Sequence, residues 1–236
     1  MSERENLFAR IREALSASPG SGLAPVSSLS SAPGGARQGA SPAAGFRQSL
    51  PPAGTTPEQR LELFRANAAS LKADFSVVTD LTEAAALVRR LRDVEGWKKV
   101  AHHAGQLVEP VCQSLSLPLC RTDQPYNVRE LESCGAGISE CDALVAQTGS
   151  VLVTTRSAGG RALSVLPPHH VVLARASQML ADLPDALAFL KTRYAPNYPS
   201  FISFITGPSR TGDIERILVL GAHGPRKLTI ILLTTA

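Results

Sequence analysis

The residues best suited to bind a ligand lie in two polar turns near the C-terminus. They are Ser209, Arg210 and Asp213 in the first turn, and His223 and Gly224 in the second. The first turn follows the apolar run 201–205, and the second follows the run 217–220. Free backbone N–H groups at the end of a buried strand, beside an arginine, could hold an anionic group such as a carboxylate or a phosphate. The two turns therefore predict an anion site.

A purely structural role is the alternative for these turns. Arg210 could bond Asp213 or Glu215 and so rigidify the loop. Asp213 could also serve as the N-cap of a following helix, which is the simpler local interpretation.

A third polar turn joins two apolar runs in the middle of the chain. It consists of Gln147, Thr148, Gly149 and Ser150. Its hydroxyls, amide and glycine-exposed backbone could bind a ligand. Alternatively, they could form the local hydrogen bonds of a tight turn between strands. Turn chemistry explains these residues without a ligand, so the local sequence favours the structural interpretation.

Two more candidates follow this turn. The Gly159-Gly160 pair permits positive φ and close backbone approach, and Arg161 supplies a forked cation. An ordinary loop and an anion site explain this segment equally well. The preceding Pro-Pro turn fixes where His169 points, but neither His169 nor His170 is expected to act as a base.

Ligands collect where loops leave the carboxyl ends of strands. Four polar segments follow apolar runs in this way: residues 147–150, 159–161, 209–213 and 223–224. We expect at least three of them to converge on one positively biased pocket, with Arg210 or Arg161 pointing into it.

Composition excludes several classes of protein. The chain has 236 residues, 44% of them hydrophobic and 19% charged, which suits one α/β domain with appendages. The net charge is +4, but no basic block alternates with aromatic residues, so no nucleic-acid partner is expected. No apolar run approaches the ~20 residues that cross a bilayer, and the N-terminus lacks an apolar signal segment. We therefore expect a cytoplasmic protein with no membrane span.

The familiar metal and catalytic motifs are missing from the sequence. The cysteines are Cys112, Cys120, Cys134 and Cys141. They form no C-x-x-C pair and fit no zinc or iron–sulfur spacing, so we expect free thiols and no metal or cofactor bound by this chain. There is no Gly-x-Ser-x-Gly elbow, no His-Glu-x-x-His helix, no Walker loop and no Gly-x-Gly-x-x-Gly fingerprint.

The chain divides into three parts. Residues 1–16 are expected to form a short helix, because Ser2 and Glu5 make a capping-box pattern before an apolar stripe. Residues 17–54 are rich in Pro, Gly and Ser and are expected to be a flexible linker. The folded domain is assigned to residues 55–236, and removing everything before Thr55 is expected to leave it folded.

Within the domain, helix and strand signals alternate. Helices are predicted from Thr56-Pro57, from Asp80 to Gly96, and from Asp182 to about Tyr194. Strand candidates are the short apolar runs 75–79, 143–146, 151–155, 171–174, 201–206, 217–220 and 228–233. This order favours a layered α/β domain with a largely parallel sheet. A hairpin-like cluster over residues 143–174, which includes the run 162–166, is expected to add antiparallel pairing.

Taken together, the polar blocks resemble the LUD-domain family, in particular its lactate-utilisation protein C branch. The blocks are residues 147–150 (Gln-Thr-Gly-Ser), 160–169 (Gly-Arg-Ala-Leu-Ser-Val-Leu-Pro-Pro-His), 206–215 (Thr-Gly-Pro-Ser-Arg-Thr-Gly-Asp-Ile-Glu) and 221–225 (Gly-Ala-His-Gly-Pro). The resemblance covers roughly residues 56–233. The family usually has an acidic residue where this chain has Gln147, so no acid, base or nucleophilic role is carried over to that position.

The resemblance implies a fold and a biological setting. The fold would be a three-layer α/β/α sandwich like that of sugar-phosphate isomerases and CoA-transferases. The setting would be a bacterial system of three proteins that oxidises L-lactate to pyruvate. Its other members would be iron–sulfur proteins, and this chain would be the member without clusters.

Three functions remain open from the sequence. The favoured one is an accessory or substrate-binding subunit of the lactate-oxidising system that binds a small anionic ligand. The second is an independent enzyme acting on a carboxylate or a phosphorylated substrate, although the amide at Gln147 argues against a glutamyl intermediate. The third is a structural scaffold for iron–sulfur partner proteins.

Overall fold

The structure is a computed structural model, and it describes residues 50–211, 219–220 and 224–235. The predicted N-terminal helix, most of the predicted linker, Asp213 and His223 lie outside these residues. The last residues of the predicted linker are described, and they contact the domain. The Gln147 amide Nε2 donates to the Pro51 carbonyl at 2.6 Å, and Arg60 Nε donates to the Gly54 carbonyl at 3.3 Å.

Three long helices begin at their predicted capping residues, and the second also ends at its predicted glycine. Helix α1 (Pro57–Ser70) starts with a capping box between Thr56 and Gln59. Helix α2 (Leu81–Glu95) starts at Asp80, whose carboxylate accepts from two backbone N–H groups, and it ends at Gly96 with φ +67°. The helix Leu183–Tyr194 starts at Asp182, whose side chain accepts from Asp185 N. All three helix predictions are confirmed.

The main sheet has six parallel strands in the order β1-β12-β7-β4-β2-β3. These strands are β1 (Asp74–Val78), β2 (Val100–His102), β3 (Leu119–Arg121), β4 (Ala136–Ser139), β7 (His169–Arg175) and β12 (Lys227–Leu233). Because every pairing is parallel, all carboxyl ends lie at one edge of the sheet. We call this the carboxyl edge, and the opposite one the amino edge.

A second sheet has four strands in the order β8-β5-β6-β9. They are β5 (Ala143–Val145), β6 (Ser150–Thr154), β8 (Met179–Leu180) and β9 (Ile202–Ile205). Strands β5 and β6 form an antiparallel hairpin around the 146–149 turn, as expected. A separate short pair joins β10 (Arg210–Thr211) to β11 (Val219–Leu220).

The apolar layers explain how the sheets stack. Helix α2 and the short helix α3 (Val108–Gln113) cover one face of the parallel sheet through residues such as Val88, Val111 and Val171. The opposite face packs against α1 and the second sheet through residues such as Phe64 and Val172. The outer face of the second sheet is covered by α5, the helix Leu183–Tyr194. The α/β class with a parallel sheet is thus confirmed, and part of one helical layer is replaced by a small sheet.

Two details of the predicted hairpin cluster are wrong. The run 162–166 forms the 3-10 helix Ala162–Ser164 rather than a strand, with Leu163 buried against Ala101 and Cys120. The run 171–174 belongs to β7 of the parallel sheet, between β12 and β4. Helix α4 (Val128–Glu132), together with α3, β2, β3 and β4, lies in residues 97–142, where no element was predicted.

A candidate ligand-binding cavity

A cavity of about 680 Å³ lies at the carboxyl edge. Strands β2, β4 and β7 each end at its wall, which they supply with His103, Glu140 and Arg175. The second sheet and α5 supply Asp142, Arg156, Arg193 and Tyr194. This volume lies within the range of small-molecule sites. The carboxyl edge of a parallel sheet is also where α/β folds place their ligands.

Three guanidinium groups line this cavity. Arg156 Nη2 donates to the Asn197 carbonyl at 3.2 Å and its guanidinium lies 5.3 Å above the Tyr194 ring. Arg175 Nη2 donates to Gln106 Oε1 at 2.9 Å, and its Nη1 lies 3.9 Å from Glu140 Oε2. Arg193 Nε lies 3.7 Å from Asp142 Oδ1. Both ion pairs are long, so the guanidinium groups keep N–H donors for a ligand.

Glu140 is held in place by the start of α3. Its Oε1 accepts from the backbone N–H groups of Leu107 at 2.8 Å and Val108 at 3.4 Å. This helix has no side-chain cap of its own at Leu107, so the carboxylate takes the role of a cap. A Cβ at Gly105 would collide with Glu140 Oε1, which explains why the smallest residue stands there.

Asp142 is a buried ionisable group of the cavity wall, with a side chain 2% exposed. Its Oδ1 accepts a hydrogen bond from the Tyr194 hydroxyl. Its Oδ2 is buried and has no hydrogen-bond partner among the described residues. A buried carboxylate oxygen without a partner is costly, so it marks a place where a further donor is expected.

His103 is fixed by two backbone contacts. Its Nε2 faces the Glu140 N–H at 3.1 Å, and its Nδ1 faces the Ala104 carbonyl at 2.7 Å. A ring nitrogen that faces an N–H group must accept, so the proton of His103 is assigned to Nδ1. The imidazole therefore orients the start of the Glu140 segment at the cavity wall.

The residues predicted from the sequence lie elsewhere. Ser150 Oγ is 2.8 Å from Thr206 Oγ1, and the backbone N–H of Ser209 donates to the Pro225 carbonyl at 2.9 Å. The structure thus brings the Gln147–Thr148–Gly149–Ser150 turn, the Ser209 loop and the Gly224 turn into one chain of contacts. This group lies at the amino edge, because Pro225 stands just before the start of β12. The amino edge is roughly 20 Å from the carboxyl edge, the length of a seven-residue strand.

Within this group, polar side chains form hydrogen bonds to backbone carbonyls of the domain. Arg210 donates to the Leu71 carbonyl at the end of α1. A Cβ at Gly149, with φ +63°, would lie 2.8 Å from the Cβ of Asn67, whose amide donates to the Ala146 and Gln147 carbonyls. Ligand binding by these residues stays a prediction.

The other predicted residues divide between the two edges. Gly159 lies against His103 at the carboxyl edge, and after Gly160 the Arg161 guanidinium lies 5.2 Å above the Phe201 ring. His169 begins β7 at the amino edge, where its Nε2 is 2.8 Å from Thr229 Oγ1. Burial lowers the pKa of His169 below its ordinary value. Of the predicted ligand-binding residues that the structure describes, none lines the large cavity.

The sequence does contain a signal for the residues that line the cavity. Glu140 and Asp142 follow the β4 run directly, Arg156 follows β6, and Arg175 ends β7. Charged residues immediately after a buried strand indicate the carboxyl edge of a parallel sheet. Tyr194 and Arg193 sit at the end of a correctly predicted helix and carried no such signal.

The cysteines are buried in separate apolar clusters of the described structure. Cys112 lies in one cluster, Cys141 in another, and Cys120 and Cys134 share a third. Within the described residues, no group of three or more His, Cys, Asp or Glu side chains could hold a metal ion. The helices described here include none that is long and apolar enough to cross a membrane.

The six-stranded parallel sheet, with helices packed on it and a cavity at its carboxyl edge, defines the chain as an α/β protein. The family model of the LUD domain matches residues 61–233, and the chain belongs to that family.

Curated relatives resemble part of the chain. Lactate utilization protein C of Geobacillus sp. (strain WCH70) is 34% identical over 110 residues, which are 46% of this chain and 46% of that protein. Lactate utilization protein C of Bacillus subtilis (strain 168) is 32% identical over 110 residues, with the same shares of both chains. The chain thus spans about half the length of the curated relatives it matches.

A solved structure supports the fold. The crystal structure of a DUF162 family protein from Deinococcus radiodurans superposes with a TM-score of 0.61 at 18% identity. The match covers 76% of this chain and 99% of that one. At this identity the likeness shows the fold alone.

Proposed function

We propose that this chain takes part in the bacterial use of L-lactate and that its carboxyl-edge cavity binds a small carboxylate. The names of the curated relatives support the first part. The single observation that carries the second part is the set of three arginines around one cavity, Arg156, Arg175 and Arg193. Guanidinium groups bind carboxylates through paired hydrogen bonds, and three of them exceed the two carboxylates of the same wall.

The chain would act as an accessory subunit of a cytoplasmic system whose iron–sulfur clusters belong to partner proteins. The positions of the cysteines support this role, because the four thiols are buried in three different apolar clusters. Burial raises the pKa of Cys112 and Cys134 to about 12, which disfavours the thiolate form that binds metals.

The first experiment tests the biological role. Deletion of the gene should abolish or strongly slow growth on L-lactate as sole carbon source and leave growth on pyruvate unchanged. Plasmid-borne wild type should restore growth. Normal growth of the deletion strain on L-lactate would overturn the proposal.

Affinity purification from lactate-grown cells tests the partners. It should recover iron–sulfur proteins, and recovery of none would contradict the proposed partnership.

The second experiment tests the cavity with matched arginines. Arg156→Ala and Arg175→Ala should weaken the binding of L-lactate by roughly tenfold or more, as expected when a charged hydrogen bond is lost. Arg161→Ala and Arg210→Ala remove guanidinium groups outside the cavity and should leave the affinity unchanged. Calorimetric titration of the four variants gives the comparison. The reverse result would assign the ligand to the residues predicted from the sequence.

A chemical step is the second candidate function. It is favoured by the ionisable side chains Glu140, Asp142 and His103, which line the same cavity. An enzyme would convert its carboxylate substrate when purified alone, whereas an accessory subunit would do so only with its partners. Proton NMR of purified protein with L-lactate and an added two-electron acceptor dye, with and without the partner proteins, separates the two.

A further inference from the structure

One part of the cavity wall is apolar. Leu180 of β8 and Phe189 of α5 line it, and both side chains belong to the apolar cluster that packs α5 on the outer face of the second sheet. They are only half-buried, whereas Leu152 and Leu190 of the same cluster are buried. The core thus leaves apolar side-chain surface uncovered at the cavity wall.

This apolar wall lies beside a cationic group. The guanidinium of Arg193 lies 5.8 Å from the centroid of the Phe189 ring, which stands one turn earlier on α5. The Arg193 side chain is 60% exposed, so its N–H donors are open to a ligand. An anion on Arg193 and an apolar group against Phe189 therefore lie within the span of one small molecule.

The cavity is larger than L-lactate requires. At the ~30 Å³ that a water molecule takes in the liquid, the six non-hydrogen atoms of lactate fill roughly 180 Å³. The cavity has about 680 Å³, and cavities of this size enclose ligands of drug size. A ligand that fills it needs a larger body than the methyl group of lactate, and Leu180 and Phe189 favour an apolar one.

We infer that the cavity has a second subsite, formed by Leu180 and Phe189, which binds the aryl-sized apolar side chain of a carboxylate whose charged end lies on the arginines. This inference rests on the proposed function, in which the cavity binds a carboxylate, and it makes the preferred ligand larger than lactate. An aryl group removes its own surface and that of both side chains from water. Its ring also packs against the Phe189 ring edge-on or offset.

The test compares L-lactate with 3-phenyl-L-lactate, which differs from it only by one phenyl group, in calorimetric titrations of the full chain. Wild type should bind the phenyl acid about tenfold or more tightly than L-lactate, as expected for the burial of one ring. 2-Phenylethanol has the ring but no carboxylate, so it should bind about tenfold or more weakly than the phenyl acid.

Phe189→Ala removes one side of the subsite and should narrow the ratio of the two acid affinities about fivefold or more. Leu187→Ala is the matched control and should keep the wild-type ratio, because Leu187 lies on the same helix, is 59% exposed and stands outside the cavity lining. A measurement on wild type serves in case Phe189→Ala does not fold. In isotope-filtered NMR, NOEs should connect the phenyl protons of the bound acid to the methyl groups of Leu180.

The outcomes separate this inference from the proposed function. Equal or tighter binding of L-lactate by wild type, or binding of 2-phenylethanol as tight as that of the phenyl acid, would overturn the inference and leave carboxylate binding intact. An unchanged ratio in Phe189→Ala, or missing NOEs to Leu180, would do the same. Binding of neither acid would overturn both, whereas the growth experiment tests the biological role separately.

Discussion

The hydroxyl of Tyr194, the last residue of α5, donates a hydrogen bond to Oδ1 of Asp142, which precedes β5. Helix α5 covers the outer face of the second sheet, whereas Asp142 lies in the connection from the parallel sheet to that sheet. One hydrogen bond thus ties the outermost layer to the wall of the cavity. The guanidinium groups of Arg156 and Arg193 also lie 5.3 and 5.7 Å from the centroid of the Tyr194 ring.

Tyr194→Phe should lower the free energy of unfolding by about 1–3 kcal/mol, because Asp142 would lose the donor to its buried oxygen. Urea denaturation followed by circular dichroism measures the change. Tyr198→Phe is the matched control, since Tyr198 is 51% exposed, and it should cost nothing measurable. Equal stability of the two variants would show that the Asp142 contact does not stabilise the fold.

Glu140→Gln should destabilise the protein by about 1–2 kcal/mol, because a neutral amide is a weaker cap for the N–H groups of Leu107 and Val108. The loss should also appear as faster hydrogen exchange at the start of α3. Glu132→Gln, at an exposed position that ends α4, is the control and should match wild type. Unchanged exchange at Leu107 in the Glu140 variant would contradict the capping role.

The thiols should be unreactive in the folded protein. All four cysteines are buried, and burial raises the pKa of each thiol, to about 12 for Cys112 and Cys134. At pH 8, Ellman's reagent should therefore titrate no thiol rapidly without denaturant and four thiols in guanidinium chloride. A fast phase of one equivalent in the native protein would identify a thiol that is exposed in solution.

His170 should make stability depend on pH. Burial lowers its pKa from 6.5 to about 3, so between these values the unfolded chain binds a proton that the folded protein does not. The stabilising contribution of neutral His170 to the free energy of unfolding is therefore fully present above pH 6.5, and it is lost as the pH falls towards 3. Between pH 7 and pH 5, wild type should lose about 2 kcal/mol more stability than His170→Asn.

The other buried histidines are present in both proteins, so their contributions cancel in this difference. Heteronuclear NMR of wild type gives a check that needs no variant. The imidazole of His170, whose Nε2 lies 2.8 Å from Ser139 Oγ, should keep its neutral-form shifts at pH 5. An imidazolium spectrum at that pH would contradict the prediction.

Residues 50–54 should contribute to the stability of the domain. A chain that begins at Thr55 loses the Pro51 and Gly54 carbonyls that accept from Gln147 and Arg60. It should be less stable than a chain that begins at Leu50 by about 1–2 kcal/mol, at about 1 kcal/mol for each hydrogen bond. In the longer of these two chains, Gln147→Ala should reproduce part of this loss. Identical melting curves for the two truncated chains would show that the contacts add nothing.

The sequence predicts those elements whose signals are local. Thr56 with Gln59, Asp80, Gly96 and Asp182 bound the long helices through hydrogen bonds within one or two turns, so a single chain reveals them. Strands β2 and β3 have only three residues each, and α3 and α4 have six and five. Segments of this length carry too little periodicity, and they form because the surrounding sheet and helices bury them.

A sequence alone cannot place the candidate site, because the site depends on which strands are neighbours. Arg175 and Glu140 are far apart in sequence and meet because β7 pairs with β4 in parallel register. The turn at Gln147 and the residue Asp142 lie at opposite ends of β5, so their nearness in sequence is misleading. Polar turns between apolar runs can be read from the sequence, but only the strand order shows which turns share an edge.

The single tryptophan is a natural fluorescence probe of the amino edge. Trp97 is 5% exposed, lies against Gly135 and meets the His169 ring edge-on, with 5.3 Å between centroids. Its fluorescence therefore reports the packing that precedes β2, β4 and β7 and the loss of that packing on unfolding. The cavity opens roughly a strand length away, so a carboxylate bound there makes no contact with the indole. A change in emission on adding such a ligand would thus record a rearrangement carried along the parallel strands from one edge of the sheet to the other.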